Sequence, residues 1–174
     1  LGAELAVAGW RAPQGAHQDF QLASGAVEVK TTTAKQPQSV RITSERQLDE
    51  AGIPALFLHV VVLDERELES VRSGIGEGLP DIVRNLRQQL QRTVAAAEDF
   101  EDRLLDAGYL EADAPRYENR QFTLRREHTF RVGRGFPRLV ETNLPAGVGD
   151  VSYALSLAAC EPFATSIEDM VAKL

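Results

Sequence analysis

Asp19, Glu28 and Lys30 are the residues whose types and spacing could do chemistry together. They stand in HQDFQLASGAVEVKTTT, residues 17–33, in a chain with only three lysines. The segment reads as two short strands around a tight turn at Ser24-Gly25. Strand side chains alternate, so Glu28 and Lys30 share one face while Val27 and Val29 share the other. With a two-residue turn at Ser24 and Gly25, Ala23 pairs with Ala26, Leu22 with Val27, and Phe20 with Val29. Those four larger apolar residues then lie on one face. The same register sets Asp19 across from Lys30 and diagonal to Glu28, with Gln21 opposite Glu28. A one-residue slip would bury the carboxylates instead.

Two neighbouring carboxylates repel, and a hard divalent cation relieves the repulsion by taking oxygens from both. Asp19 and Glu28, with the carbonyl of Val29 as third ligand, would hold Mg²⁺, and Mn²⁺ as a substitute. Lys30 would then stand beside the metal's waters, where a cation favours an attacking hydroxide and charge growing on a phosphate. These are the parts needed to hydrolyse a phosphodiester. Glu-x-Lys alone means little, because it arises by chance in roughly half of chains this size. Asp19 at hairpin distance and the apolar register give it weight.

The elements that must position this cluster are legible around it. LGAELAVAG reads as a helix with Leu1, Leu5 and Ala8 on one side, ended by Gly9. QSVRIT is a third strand. Ser44 caps a helix over SERQLDEAG, closed by Gly52. PALFLHVVVL, residues 54–63, has the apolar continuity of a strand buried on both faces. The order is αβββαβ. Beyond it, Leu79 to Leu104 carries helical periodicity, as one helix or as two broken near Thr93. Phe122, Leu124, Phe130 and Val132 alternate with arginines in a hairpin or a long bent strand. The stretches at 72–78, containing GIGEG, and at 111–118 read as loops, as does NLPAGVGD. VSYALSL is a strand and SIEDMVAKL a terminal helix.

At 174 residues, with 43% hydrophobic and 26% charged, the chain has the composition of a globular domain with a sizeable core. No apolar run reaches the length of a membrane span, and a cytoplasmic setting is expected. A start on Leu1 suggests that an N-terminal part of a longer protein is missing. One cysteine, Cys160, excludes an intrachain disulfide and a CxxC zinc site, and reads as a small packed residue. The three histidines are too scattered to form a metal set. His59 reads as a satisfied core histidine and His17 as exposed. The net charge of −7 hides an asymmetry: from Arg116 to Arg138 seven arginines face two glutamates, a local +5, while LDERELE carries the opposite sign.

Asp19, Glu28, Val29 and Lys30 match, residue by residue, the motif of the PD-(D/E)XK nuclease superfamily, and the order of elements matches as well. The chain is therefore similar to proteins of the restriction-endonuclease-like fold. The likeness spans residues 1–63 and departs from the pattern at Gln18, where proline is usual. The C-terminal part, including FPRLVETNLPAGVGDVSYALSL, resembles a poorly characterised subgroup linked to restriction and phage-defence loci. The resemblance implies an α/β (α+β) fold, with an αβββαβ mixed-sheet core over 1–63 and a helical and β-rich extension over 64–174. It implies a further acidic role for Glu4, on the helix before the hairpin. It also implies an auxiliary active-site role for Gln47.

The function expected is Mg²⁺-dependent phosphodiester hydrolysis of nucleic acid, DNA before RNA, of restriction or phage-defence type. Arg120, Arg125, Arg126, Arg131 and Arg134 would track the backbone, and a homodimer or restriction-system proteins would be partners. The alternatives are an inactive subunit on the same fold, binding nucleic acid or protein within a defence complex, and a carboxylate-lined small-molecule pocket on an unrelated sheet.

Overall fold

The computed structural model describes residues 2–67 and 76–174. Leu1, and residues 68–75 of the LDERELE stretch and the 72–78 loop, lie outside them. Helix α1 (Ala3–Gly9) leads to the hairpin strands β1 (Phe20–Leu22) and β2 (Gly25–Thr32), then β3 (Ser39–Ile42) and β4 (Leu56–Glu67). Helices α2 (Leu79–Leu90) and α3 (Val94–Asp106) follow, so the 79–104 pattern is two helices broken at residues 91–93. A 3₁₀ turn (Glu111–Asp113) and α4 (Ala114–Tyr117) occupy the stretch read as a loop at 111–118. The chain then forms β5 (Arg120–Val132), β6 (Tyr153–Ser156), α5 (Leu157–Cys160), β7 (Ala164–Thr165) and α6 (Ile167–Ala172).

Five strands make a mixed sheet in the order β1-β2-β4-β5-β7, an α+β arrangement. β2 and β4 are parallel and the other pairs antiparallel. Parallel neighbours need a crossover between them, usually a helix. Here the crossover is β3 and a run of turns. β3, the third strand of the αβββαβ order, leaves the main sheet altogether and pairs antiparallel with β6. The arginine-rich segment is one long strand with a bulge at Arg125, where the partners step from Val62↔Arg126 to Leu63↔Leu124.

The helix expected from Ser44 to Gly52 is a series of turns at Glu45–Leu48 and Ala51–Gly52. The cause is local. Gln47 Oε1 accepts from Thr43 N (2.9 Å) and Thr43 Oγ1 (3.2 Å), and Asp49 Oδ1 accepts from Ala51 N (3.0 Å). Side chains thus satisfy backbone groups that a helix would need. Glu45, 3% exposed, accepts from Val151 N (2.9 Å) and ties the turns to the loop before β6. Leu48 is driven into the core at 0% exposure.

The two sheet faces carry different loads. Ala26, Leu56, Leu58, Val60, Phe130 and Val132 pack against Val40, Ile42, Leu48, Leu155, Leu157 and Cys160 of the β3–β6 layer, forming the main core. On the opposite face Val27, Ala55 and Phe57 meet Met170 of α6. Ser166 caps α6 by accepting from Asp169 N (3.0 Å). A third cluster joins α1 to α2 and α3 through Val7, Val83, Leu90, Phe100 and Leu104. His59 is satisfied inside the sheet, with Nδ1 3.0 Å from Thr129 Oγ1 and Nε2 3.3 Å from Glu127 Oε1. Cys160 is fully buried, and burial pushes its thiol up to about 11. No helix among the described residues is long and apolar enough to cross a membrane.

Candidate active site

The hairpin's register differs from the expected one by two residues. Phe20 pairs with Val27, Gln21 with Ala26 and Leu22 with Gly25, so the turn is Ala23-Ser24. A two-residue slip conserves faces, so the apolar side and the carboxylate side stay as read. It does change the partners, because extending the ladder by one step sets Asp19 opposite Glu28 rather than Lys30. Gly25 explains the slip. A Cβ there would lie 2.4 Å from the Ala55 carbonyl, which accepts from Ala26 N at 2.7 Å. Glycine is thus needed as the first residue of β2, where the chain runs tight against the start of β4, and the turn moves back one residue.

Asp19 is fixed from two sides. Its Oδ2 accepts from Val29 N (2.7 Å), and its carbonyl accepts from Arg11 N (2.8 Å) and Ala12 N (3.2 Å). Oδ1 has no donor among the described residues. Val29 enters the site through its amide, which holds Asp19 in place.

Glu28 is on the main-core face and is 1% exposed. The expectation that this register keeps the carboxylates out of the core fails for Glu28, because the β3–β6 layer closes over their side. Its carboxylate is held by the Lys30 side chain and by the Asp19 main chain. Lys30 Nζ stands 2.5 Å from Oε1 as an ion pair. Burial, with the Asp19 charge adding to it, pushes the Glu28 carboxyl up to about 7, and the Lys30 contact opposes both. Lys30 Nζ also donates to Gln47 Oε1 at 3.3 Å. Gln47 thus reaches the cluster from a turn rather than a helix.

Gln18 had no role in the sequence reading beyond standing where proline is usual. It is 3% exposed, and its Nε2 donates to the carbonyls of Arg46 (2.9 Å) and Gln47 (3.4 Å). It clamps the Asp19 strand to the Gln47 turn. No periodicity could have shown this, since β1, β2 and β3 all lie between the partners along the chain.

Glu4 has another partner. Its Oε1 accepts from the Thr93 hydroxyl at the α2–α3 junction, and it shares no hydrogen bond or ion pair with Asp19, Glu28 or Lys30. The arginines divide as well. Arg120 pairs with Glu65 (3.3 Å) and Arg125 with Asp64 (3.7 Å). The Arg131 guanidinium lies 4.8 Å from the centre of the Phe57 ring and donates to the Pro54 carbonyl (3.1 Å). Arg126 and Arg134 are exposed and have no ionic or hydrogen-bond partner among the described residues. Arg116 pairs with Asp113, and Arg138 with Glu50.

Asp19 and Glu28 fit a divalent cation. Burial and the neighbouring Asp19 charge both disfavour the ionised Glu28, Lys30 offsets them only in part, and a divalent cation shared by the two carboxylates would relieve the rest. Among the described residues no three Asp, Glu, His or Cys side chains form a metal-binding group. Mg²⁺ is accustomed to such sparse sets, since it is held by one or two carboxylates and keeps waters or substrate phosphate oxygens on its other positions.

A family model described as "Putative PD-(D/E)XK family member, (DUF4420)" matches residues 1–158, and the chain belongs to that family. Comparison with curated proteins and with solved structures returned no match. Membership points to a nuclease-type function, and PD-(D/E)XK nucleases generally use divalent metals.

Proposed function

From membership of a PD-(D/E)XK family, we propose that the protein is a metal-dependent endonuclease acting on DNA, with Asp19, Glu28 and Lys30 as its catalytic centre. One observation carries the reading: Glu28, 1% exposed, is paired with Lys30 on its own strand and lies beside the charge of Asp19 on the preceding segment of the hairpin. A core position filled by an ionisable group in this way is costly, and such costs cluster at functional sites.

Asp19 and Glu28 would hold Mg²⁺, with the Val29 carbonyl as a further ligand. Bound there, the cation would supply a hydroxide near neutral pH and neutralise charge on the scissile phosphate. The remaining work belongs to the chain. The Val29 amide fixes Asp19 before substrate arrives, so no reorganisation is required at the moment of reaction. Lys30 is held between Glu28 and Gln47, and turns its charge to the phosphate once Glu28 is shared. Gln47 acts as a positioning residue for Lys30. Glu4, engaged by Thr93, serves the reading best by bracing α1 against the α2–α3 junction.

Arg126 and Arg134 are the arginines best placed to meet a phosphate backbone, since among the described residues they have no partner to leave. Arg120 and Arg125 would exchange carboxylates for phosphates, and Arg131 would do so at the expense of its packing. A restriction or phage-defence setting, a homodimer and an intracellular location belong to the same reading. The test is metal-dependent nicking of supercoiled plasmid by the wild type and its loss in Asp19→Ala.

A further inference from the structure

Where Gln18 and Gln21 of the hairpin segment meet the Arg46 turn, the surface is hollowed into a pocket of about 400 Å³, lined also by His17, Ala51 and Ile53. It adjoins the active site through the chain itself. Gln21 stands on the face of Asp19, two residues further along the same segment, and Arg46 immediately precedes Gln47.

The pocket is built rather than incidental. Gln18, 3% exposed, spends its amide hydrogens on the Arg46 and Gln47 carbonyls, and its Oε1 accepts from Gln21 Nε2 at 3.0 Å. A buried amide thus orients an exposed one. It leaves Gln21 an acceptor oxygen and a second amide hydrogen, the donor–acceptor pair that reads a base edge. Ile53, half-buried on the main core, and Ala51 offer apolar surface, while His17 and Arg46 contribute planar groups on which a base can stack. Asp49 and Glu141 also line the hollow. Their charges oppose a phosphate inside it and suit the amino hydrogens of a base.

We infer that this pocket takes one unpaired nucleobase of the bound strand, next to the phosphate presented to Asp19 and Glu28. The substrate class is then nucleic acid that is single-stranded or locally opened at the cleavage position. The inference rests on the nuclease reading for its substrate but is tested through binding.

The experiment is fluorescence anisotropy in EDTA, so that cleavage is not required, with labelled single-stranded DNA, single-stranded RNA and a blunt DNA duplex. A series of the single strands carries one abasic nucleotide at successive positions. The wild type should favour single strands over duplex, and one abasic position should weaken binding by on the order of tenfold. Comparing the DNA and RNA series identifies which strand the pocket takes. Gln21→Leu, at an exposed position, should fold as the wild type by circular dichroism and bind intact and abasic strands alike. Equal binding of intact and abasic strands by the wild type would overturn the inference, as would undiminished discrimination by Gln21→Leu. Absence of binding to any of the nucleic acids would overturn it too. The plasmid assay reports separately on the chemistry: nicking lost in Asp19→Ala, without abasic discrimination, would sink the base pocket and leave the nuclease standing.

Discussion

Lys30 Nζ lies 2.5 Å from Glu28 Oε1, and the carboxylate it reaches is 1% exposed while Lys30 remains partly open to solvent. The pair is therefore a link between the core and the surface. Its energetics turn on Glu28, whose carboxyl is raised to about 7 chiefly by burial.

That shift has a sign. A carboxyl raised in the folded state binds its proton more tightly there than when unfolded. Its stabilising effect is full below the unfolded value near 4.5 and is lost as pH rises through about 7. In metal-free buffer the wild type should lose roughly 3 kcal/mol of unfolding free energy across this window from Glu28 alone. Glu28→Gln should lack this loss and be the more stable protein above neutrality. Urea denaturation in EDTA at about pH 5 and about pH 8 measures both. Saturating Mg²⁺ should restore wild-type stability at the higher pH and leave Glu28→Gln unmoved.

Gln47 holds three donors with one oxygen: Thr43 N, Thr43 Oγ1 and Lys30 Nζ. Gln47→Ala should cost about 1–3 kcal/mol of stability by leaving these groups without a partner. Nicking by the variant should fall with Mn²⁺ affinity nearly unchanged. Calorimetric titration with Mn²⁺ separates that outcome from a lost metal site.

Gly25→Ala should be destabilising despite the small change, because the new methyl would meet the Ala55 carbonyl at 2.4 Å. The backbone cannot yield there without parting β2 from β4, and a loss of about 1–3 kcal/mol is expected from chemical denaturation.

The arginines should separate into two kinds. Arg126→Ala and Arg134→Ala should each lower the slope of log affinity against log salt by about one unit without changing the melting temperature. Arg131→Ala should lower the melting temperature as well, because it removes the contact over Phe57 and the bond to Pro54. Binding isotherms at several salt concentrations, with parallel thermal melts, distinguish them.

What the sequence revealed here was what local pattern can encode. Alternation sorted the hairpin's faces, apolar continuity marked β4, and SIEDMVAKL was legible as the terminal helix α6. The register was misread because the obstacle to the Ser24-Gly25 turn, the Ala55 carbonyl, is 30 residues from Gly25 along the chain. The Ser44 helix was misread because Gln47 and Asp49 satisfy backbone groups themselves, a competition that composition favours no more than helix. The burial of Glu28 was hidden for a related reason. β3 pairs with β6, and only that distant pairing brings Val40, Ile42 and Leu155 over the carboxylate face. Gln18 was passed over because its partners, the Arg46 and Gln47 carbonyls, are main-chain groups without a side-chain signature.

The most direct test of the central claim is nicking of supercoiled plasmid at low salt with Mg²⁺, with Mn²⁺ and with EDTA, by wild type and by Asp19→Ala. The account predicts metal-dependent nicking by the wild type, none in EDTA, and none by a folded Asp19→Ala protein. Nicking that persists in EDTA, or in Asp19→Ala with metal, would contradict it. A wild type that neither nicks nor binds Mn²⁺ would do the same, and would leave the fold as a binding subunit.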